Sequence, residues 1–228
     1  MIIPALSFAG YPEPIDEYVN DFARVIDNDI QRQIRKRLYD TEYYSGVEIV
    51  VITIRNFKEY KTGDKNWEEF STGLFNKWGI GNKKNNDGVM LLVSVIDRKV
   101  RIELGAGYGF QYNSIMKSII KNTLTPNFKN GEFTKGVEEG VGEIINQVTI
   151  PVSFFEWYKK YIFAGIGALI SLVIALKIDK KDNVGLFWIF LALAGILILE
   201  IIRGIGSGRA SEGHGGGSSD GGGASGDF

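Results

Sequence analysis

The sequence predicts an α/β/α sandwich with a mixed sheet, followed by a transmembrane helical hairpin. The sandwich is predicted because β-branched runs at residues 47–54 and 89–95 have the continuous hydrophobicity of buried strands, with an amphipathic helical pattern between them. The hairpin is predicted because two long apolar runs follow, joined by a short polar link. The order of elements therefore indicates one folded domain that precedes a membrane anchor.

Composition excludes several functional classes. The 228 residues carry 26 basic and 27 acidic side chains, which argues against nucleic acid as a partner. The chain has no cysteine, so a disulfide scaffold, a zinc finger and a thiol nucleophile are excluded. The one histidine, His214, lies in a glycine-rich stretch, which excludes a Ser-His-Asp triad in the domain. No residue is identified as catalytic.

The predicted domain spans residues 11–148. Its first helix is expected to begin at Asp27, because Asp27 can cap a helix that carries Ile30, Ile34 and Leu38 at helical spacing. The strand at 47–54 follows. A second helix is indicated by apolar residues that share one helical face, namely Trp67, Phe70, Leu74, Phe75 and Trp78.

The second half of the domain begins with a predicted antiparallel hairpin, formed by the strand at 89–95 and an alternating strand at 100–104. In the alternating strand Glu103 is expected on a solvated face. The glycine-rich stretch GAGYG has the spacing G-x-G-x-G, which is weak support for a nucleotide site, and no nucleotide is predicted. Two helices complete the domain: one is expected to stop before Pro126, and the other carries an apolar stripe up to Val148.

Membrane spans are predicted at residues 161–176 and 184–202, after a juxtamembrane linker at 149–160. The basic loop at 177–183 is short, so the two spans are antiparallel and place the domain and the C-terminal tail on the same side. Lysines and arginines are too evenly divided between the two sides for the positive-inside rule to decide which side this is.

Residues 1–10 resemble the last part of a secretory signal, so we interpret them as a truncated signal-peptide remnant. This places the domain and tail outside the cytoplasm of an integral cell-membrane protein with two spans. The tail, residues 203–228, is rich in glycine and serine and is expected to be disordered, with His214 a solvated side chain.

Several blocks occur in an order that resembles a known family. They are the Asn20-Asp21-Phe22-Ala23 segment, the strand EIVVITI, LFNKWGIG, NNDGVMLLVS, the stretch from Asp97 to Glu103, GAGYG, and Pro126-Asn127-Phe128-Lys129. They are similar to the TPM domain family, whose name refers in part to a thylakoid acid-phosphatase-like protein and a photosystem II repair protein. Bacterial relatives add membrane helices and a glycine-rich tail like the one here.

The resemblance implies an acidic metal site, which we match to Asp21, Asp87 and Asp97, with Arg98, Glu103 and Gln111 as further candidates. Gln111 stands where the family often has glutamate, and Asn113 and Ser114 stand where an aspartate often follows. Ca²⁺ prefers several carboxylates among its six to eight oxygen ligands, so we expect at most weak Ca²⁺ or Mg²⁺ binding. Each aspartate also has a structural interpretation, as a cap, a turn residue or part of a surface ion pair.

Three functions remain open. The first is a membrane-anchored, outward-facing module that binds a protein partner and assists an envelope complex. The second is a weak, divalent-metal-dependent acid phosphatase, and the third is a calcium-binding module without turnover. The first is favoured, because it does not require the acidic groups that are missing at Gln111, Asn113 and Ser114.

Overall fold

The computed structural model describes residues 10–149, 165–174, 184–205 and 214–228. The chain forms two compact units, of which the first contains Met1–Thr149 together with Arg209–Phe228, and the second contains Ile150–Gly208. The first unit is built on a mixed sheet, as predicted, and the sheet has five strands in the order β1-β2-β3-β4-β5. The strands are β1 (Val19–Asp21), β2 (Ile49–Ile54), β3 (Val89–Ser94), β4 (Lys99–Leu104) and β5 (Gly222–Asp227).

The pairing of the strands divides the sheet into two halves. Strands β1, β2 and β3 are parallel to one another, while β4 is antiparallel to both β3 and β5. The β3–β4 hairpin confirms the prediction from the alternating pattern. The short β1 and all of β5 were not predicted, and they form the two edges of the sheet.

Helices cover both faces of this sheet. The α-helices are α1 (Asn28–Ser45), α2 (Trp67–Trp78), α3 (Gln111–Ile119), α4 (Thr125–Lys129) and α5 (Phe133–Thr149), and a π-helical turn at Ile120–Leu124 joins α3 to α4. The two predicted helices at the start and end of the domain, and the helix at 67–78, are confirmed. The predicted stop before Pro126 is wrong: the π-helical turn runs directly into α4, and Pro126 lies in the first turn of α4, where the fixed φ of proline suits the helix.

Two separate apolar cores hold the layers together. On one face, Val51, Leu91 and Ile102 of the sheet pack with side chains of α1, α3 and α5. On the other face, Ile52 and Leu92 pack with the apolar side of α2. Burying each aliphatic side chain of this size contributes about 1.5–3 kcal/mol, so these two cores supply the main stabilisation of the sandwich.

The helix cap expected from Asp27 is only partly correct. Asp27 occupies the cap position of α1, but its side chain makes no capping hydrogen bond. Its backbone N–H instead donates a hydrogen bond to the Thr134 hydroxyl oxygen, at 3.1 Å. The start of α1 is therefore fixed by contact with the start of α5.

The second unit contains helical residues at 165–174 and a helix at Val184–Ile205. Among the residues that the structure describes, no helix combines the length and the apolar character needed to cross a membrane, so the predicted transmembrane hairpin is not supported. The remainder of the first predicted span, the loop at 177–183, the linker after Thr149 and the signal remnant before Gly10 lie outside the described residues.

Candidate functional site

Asp21, the first predicted metal ligand, is tied to its own surroundings. It ends β1, is buried, and accepts hydrogen bonds from the backbone N–H groups of Val25 at 3.1 Å and Ile26 at 3.0 Å. The Thr53 hydroxyl and the Gln31 side chain also donate to it. These four donors satisfy the carboxylate, so Asp21 fixes the turn between β1 and α1.

Asp97 lies in the turn between β3 and β4. Its carboxylate accepts a hydrogen bond from the Ser94 hydroxyl at 2.5 Å and another from the Phe57 backbone N–H at 2.9 Å. Asp97 thus connects the β3–β4 turn to the 3₁₀-helical turn at Phe57–Glu59. Like Asp21, it follows the carboxyl end of a strand.

Asp87 lies at the opposite end of β3. It precedes Val89, the first residue of that strand, and accepts from the Asn82 N–H at 3.2 Å and the Asn85 side chain at 3.1 Å. Because six strand residues span about 20 Å, Asp87 and Asp97 are too far apart to share a cation. The prediction that Asp21, Asp87 and Asp97 meet at one edge is therefore wrong. Within the described ranges, no three acidic or histidine side chains form a group able to hold a metal ion.

The glycine turn after β4 packs against the loop that carries Asp87. Gly105 and Gly107 donate backbone hydrogen bonds to the carbonyls of Gly88 and Asn86, at 2.9 and 2.8 Å. The Tyr108 hydroxyl donates to the Asp87 carbonyl at 2.8 Å. Burial, followed by the nearby Asp87 charge, raises the pKa of Tyr108, so this hydroxyl stays protonated.

Glu103 was expected to be solvated, but the structure buries it completely. Its carboxylate accepts from the Thr72 hydroxyl at 2.8 Å and the Ser219 hydroxyl at 2.7 Å, and it forms an ion pair with Arg101. The alternation of β4 was interpreted correctly, since Glu103 does point away from the core that contains Ile102. The opposite face is not solvent, however, because α2 and the segment 214–228 cover it.

The segment 214–228 is the main departure from the sequence prediction. It was expected to belong to a disordered tail, yet it is ordered on the domain and contributes β5. Six residue pairs join β5 to β4, from Lys99 opposite Asp227 to Leu104 opposite Gly222. Glycine lowers the intrinsic strand propensity, but β4 supplies a preformed row of backbone partners that compensates for it. We call the domain surface that holds this segment the edge site.

Arg101 and Glu103 form the centre of the edge site. The Arg101 guanidinium donates to the Ser225 hydroxyl at 2.9 Å and to the Gly221 carbonyl at 3.0 Å, while its Nε atom bonds Glu103. Both side chains are almost fully buried, so their charges compensate each other in a poorly solvated environment. The pair therefore binds hydroxyl groups and carbonyl oxygens of the segment.

Glu48 forms one end of the edge site. This buried carboxylate pairs with the His214 ring and accepts from the backbone N–H of Gly215 at 3.3 Å. It also accepts from the Gly81 N–H at 2.7 Å, which fixes it to the domain. The His214 ring stacks on Trp78, with 5.5 Å between ring centroids. His214 is therefore a packed side chain and not the solvated residue expected.

An aromatic pocket forms the other end. The Phe228 side chain is buried against Phe128 and Phe133, with ring centroids 5.0 and 5.8 Å apart. Its backbone N–H donates to the Arg98 carbonyl at 3.0 Å, and the Arg98 side chain donates to the Phe228 main-chain oxygen. The segment is thus held at both ends as well as along its strand.

Two further sequence candidates have different outcomes. Asn113 accepts a hydrogen bond from the Gly223 N–H at 2.8 Å, so it belongs to the edge site. Gln111 is exposed at the start of α3. Of the residues predicted as site candidates, Arg98 and Glu103 thus contact the segment, whereas Glu48 and Arg101 were missed. The sequence feature that could have indicated these residues is a charged side chain within a strand pattern, as at Arg101 and Glu103.

The chain matches one protein family and is similar to several solved structures. The TPM domain family matches residues 19–147. One of the structures is the solution NMR structure of the N-terminal domain of a protein from P. gingivalis, which is 32% identical, with a match that covers 58% of this chain and 81% of that one and a TM-score of 0.48. The BA42 protein of the psychrophilic bacterium Bizionia argentinensis is 20% identical and covers 54% of this chain and 81% of its own, with a TM-score of 0.45.

A third solved structure is the N-terminal domain of the cg2496 protein from Corynebacterium glutamicum. It is 13% identical and covers 62% of this chain and 86% of its own, with a TM-score of 0.45. No match was found among curated proteins. Since the family match spans more than half of the sequence, the chain belongs to the TPM domain family.

Proposed function

We propose that this chain is a protein-binding module, and that its TPM domain receives an extended protein segment along β4 as an accessory factor of an envelope complex. One observation carries the proposal: β4 pairs with a glycine-rich strand that comes from outside the 19–147 region matched by the family. Within that region β4 is an edge strand, and an edge strand offers unpaired N–H and C=O groups to an incoming chain.

The chemistry of the edge site suits strand addition. Main-chain pairing supplies affinity in such complexes, and pockets for alternate side chains supply specificity. Here the pairing runs over six positions, and the aromatic pocket accepts Phe228 beyond the end of the strand. The buried Arg101–Glu103 pair adds directed hydrogen bonds to Ser219 and Ser225.

The phosphatase and calcium alternatives are not proposed. They would require carboxylates that act together, whereas Asp21 and Asp97 each accept hydrogen bonds from donors of the domain itself and Asp87 lies at the other end of β3. Each of these carboxylates serves the domain's own structure.

The proposal includes a cell-membrane attachment with the domain and segment outside the cytoplasm. The apolar runs of the sequence at 161–176 and 184–202 support it, as does the signal-like start. Protease added to intact cells should then cleave the domain. Protection in intact cells, with cleavage in inverted vesicles, would contradict this orientation.

The binding function is tested with a chain that ends after residue 213. A fluorescein-labelled peptide of residues 214–228 should bind it saturably with 1:1 stoichiometry, measured by fluorescence anisotropy. The intact chain should bind the peptide about tenfold or more weakly, because its own tethered segment competes at a millimolar effective concentration. Absence of binding to a truncated chain with a native circular dichroism spectrum would contradict the proposal.

A second measurement leaves the segment in place. The chain has no cysteine, so Lys99→Cys combined with Asp227→Cys introduces a single reporter pair. Phe228 and Arg98 form a hydrogen-bonded pair, which makes Lys99 and Asp227 a non-hydrogen-bonded pair, whose Cα atoms lie about 4.5 Å apart. That separation suits a disulfide. Under mild oxidation the double variant should form an intrachain disulfide, detected by loss of thiol labelling, and each single variant should not.

A further inference from the structure

We infer that one end of the domain lies on the lipid bilayer, where exposed aromatic side chains enter the headgroup region and lysines attract anionic lipids. We call it the linker end: it is the end of the sandwich at which β2 and β3 begin, at Ile49 and Val89, and β4 ends, at Leu104. The inference rests on the membrane attachment included in the proposed function, and it specifies which surface of the domain meets the membrane.

Both chain connections to the second unit are made at the linker end. α5 runs alongside α1 in the same direction, since the starts of the two helices are hydrogen-bonded to each other and Gly142 of α5 lies beside Arg37 of α1. α5 therefore finishes, at Thr149, near the end of α1 that leads into β2. The segment that forms β5 begins at the same end, because His214 pairs with Glu48 directly before β2.

The sequence between these two positions limits how far the linker end can lie from a bilayer. Residues 150–160 and 203–213 connect the domain to the predicted spans at 161–176 and 184–202. A connection of this length reaches about 40 Å when fully extended. A bilayer that contains the spans is therefore tethered to the linker end by two short connections, and this end faces it.

Exposed aromatic side chains lie at the linker end. Phe110 follows the glycine turn after β4 and is 92% exposed, and Tyr44 lies in the last turn of α1 and is 79% exposed. Tyr43 packs edge-to-face against Tyr44, with 5.0 Å between ring centroids. Aromatic rings are enriched where a membrane meets water, because the headgroup region accommodates both their apolar bodies and their polar tips. These side chains are thus suited to contact with lipid.

Basic side chains at the same end suit an anionic surface. Lys83 and Lys84 are exposed in the loop before β3, and within the described residues neither has an ion-pair partner. The acidic side chains of this end have partners within the first unit, namely Asp87, Glu48 and Glu13. The two lysines are therefore available to lipid phosphates, whose negative potential attracts basic groups close to the membrane surface.

The opposite end of the sandwich provides a comparison. Ile96, in the β3–β4 turn, is an apolar side chain that is 56% exposed there. This turn is farther from both chain connections by the length of the strands, about 20 Å for six residues. Ile96 is therefore expected to remain in water when the linker end lies on the bilayer.

The test uses the full chain, reconstituted in vesicles of phosphatidylcholine and the anionic lipid phosphatidylglycerol. The chain has no cysteine, so Gln111→Cys, beside Phe110, and Ile96→Cys each place one nitrobenzoxadiazole fluorophore. Lipids that carry a spin label near the headgroup should quench the fluorophore at position 111 at least about twofold more than the one at position 96. Both labelled positions are exposed, so the labels should not disturb the fold.

Substitutions then assign the contact to particular side chains. Phe110→Ala should lower the quenching at position 111, whereas Ile96→Ala, the matched control at the opposite end, should leave it unchanged. Lys83→Gln combined with Lys84→Gln should lower the quenching in vesicles that contain phosphatidylglycerol and have no effect in pure phosphatidylcholine. A circular dichroism spectrum of each variant checks that the fold is intact.

The outcomes distinguish the inference from the proposed function. If the chain does not float with the vesicles in a density gradient, the membrane attachment fails and the inference fails with it. If the chain floats but the two fluorophores are quenched equally, the attachment stands and the inference is overturned. Quenching that Phe110→Ala and the double lysine variant leave unchanged would also overturn it. Peptide binding at the edge site is measured separately and does not depend on either result.

Discussion

Two groups of carboxylates in this domain have opposite roles. Asp21, Asp87 and Asp97 are bonded within the domain itself, mostly to donors a few positions away in turns. Glu48 and Glu103 are more deeply buried and accept hydrogen bonds from residues more than 110 positions away. The first group matched the family's acidic positions, but the second group holds the segment 214–228.

The difference shows where this domain uses charge for binding. A carboxylate whose oxygens already accept hydrogen bonds within the domain is not available to a ligand. A buried carboxylate that is hydrogen-bonded to a distant segment makes the stability of the domain depend on that segment. Substitutions in the two groups should therefore separate the stability of the fold from the attachment of the segment.

The largest effect is expected from Glu103→Gln. The substitution leaves the Arg101 guanidinium buried without its counter-charge, which should lower the free energy of unfolding by about 3 kcal/mol. Urea denaturation followed by tryptophan fluorescence measures this change. The Lys99–Asp227 disulfide reporter should also form less completely in this background.

A control distinguishes the effect of the buried charge from the effect of side-chain packing. Replacing both members of the pair, with Arg101→Leu and Glu103→Leu together, should recover part of the lost stability, because no charge then remains buried. A loss below about 1 kcal/mol for Glu103→Gln would contradict the role of this carboxylate as the counter-charge of a buried Arg101.

Asp21→Asn should have the next largest effect. The amide keeps one acceptor oxygen but loses the charge that binds the Val25 and Ile26 N–H groups, so we expect a loss of about 2 kcal/mol. Peptide binding to the chain that ends after residue 213 should be unchanged once the variant is folded. A clear change in the peptide's dissociation constant would contradict the division between the two groups.

Asp16 lies before β1 and belongs to the first group of carboxylates. Its titration should make the stability of the domain depend on pH. Burial alone would raise the pKa of Asp16, but the Val19 N–H, Arg35 and the Tyr18 N–H together lower it below its ordinary value. A depressed carboxyl pKa contributes stability above the unfolded-state pKa and loses it as pH falls through the folded-state pKa. Asp16→Asn should therefore cost about 1 kcal/mol at pH 7 and show a flatter loss of stability below about pH 4.

The measurement is thermal unfolding of the two proteins at a series of acidic pH values. The unfolding curves of Asp16→Asn and the unsubstituted chain should converge as the pH falls. Parallel curves across the acid range would show that Asp16 does not titrate with a lowered pKa.

The smallest effect is expected from Asp87→Asn. This half-buried turn residue has only an N–H group and an amide as partners, so its substitution should cost less than about 0.5 kcal/mol. Calcium at about 1 mM, or its removal by a chelator, should leave the melting temperature of both proteins unchanged. Calcium stabilisation that Asp87→Asn abolishes would restore the metal-site hypothesis.

The core of the fold could be predicted from sequence because its elements carry strong periodic signals. The continuous apolar runs identified β2 and β3, and the aromatic stripe identified α2. The separation of the acidic residues could also have been predicted from the sequence. Asp87 precedes β3 and Asp97 follows it, so they lie at opposite ends of one strand. The family resemblance led to the expectation that they meet.

β5 could not be predicted in the same way. Its composition is typical of a flexible segment, and its order depends on β4, on Arg101 and on the pocket around Phe228. Local sequence patterns contain no information about a partner strand that lies so far away in the chain. The burial of Glu103 was missed for the same reason, since the segment supplies part of its cover.

The pairing of β4 with β5 also has a consequence for biosynthesis. Lys99 and Asp227 are 128 residues apart, so the ribosome must add all of the intervening chain before this pair can form. During that interval the nascent domain has four strands and an open edge, which is the type of edge that recruits other chains into aggregates. A translational pause between these two strands would prolong that exposure, and a chaperone that protects β4 would act in this window.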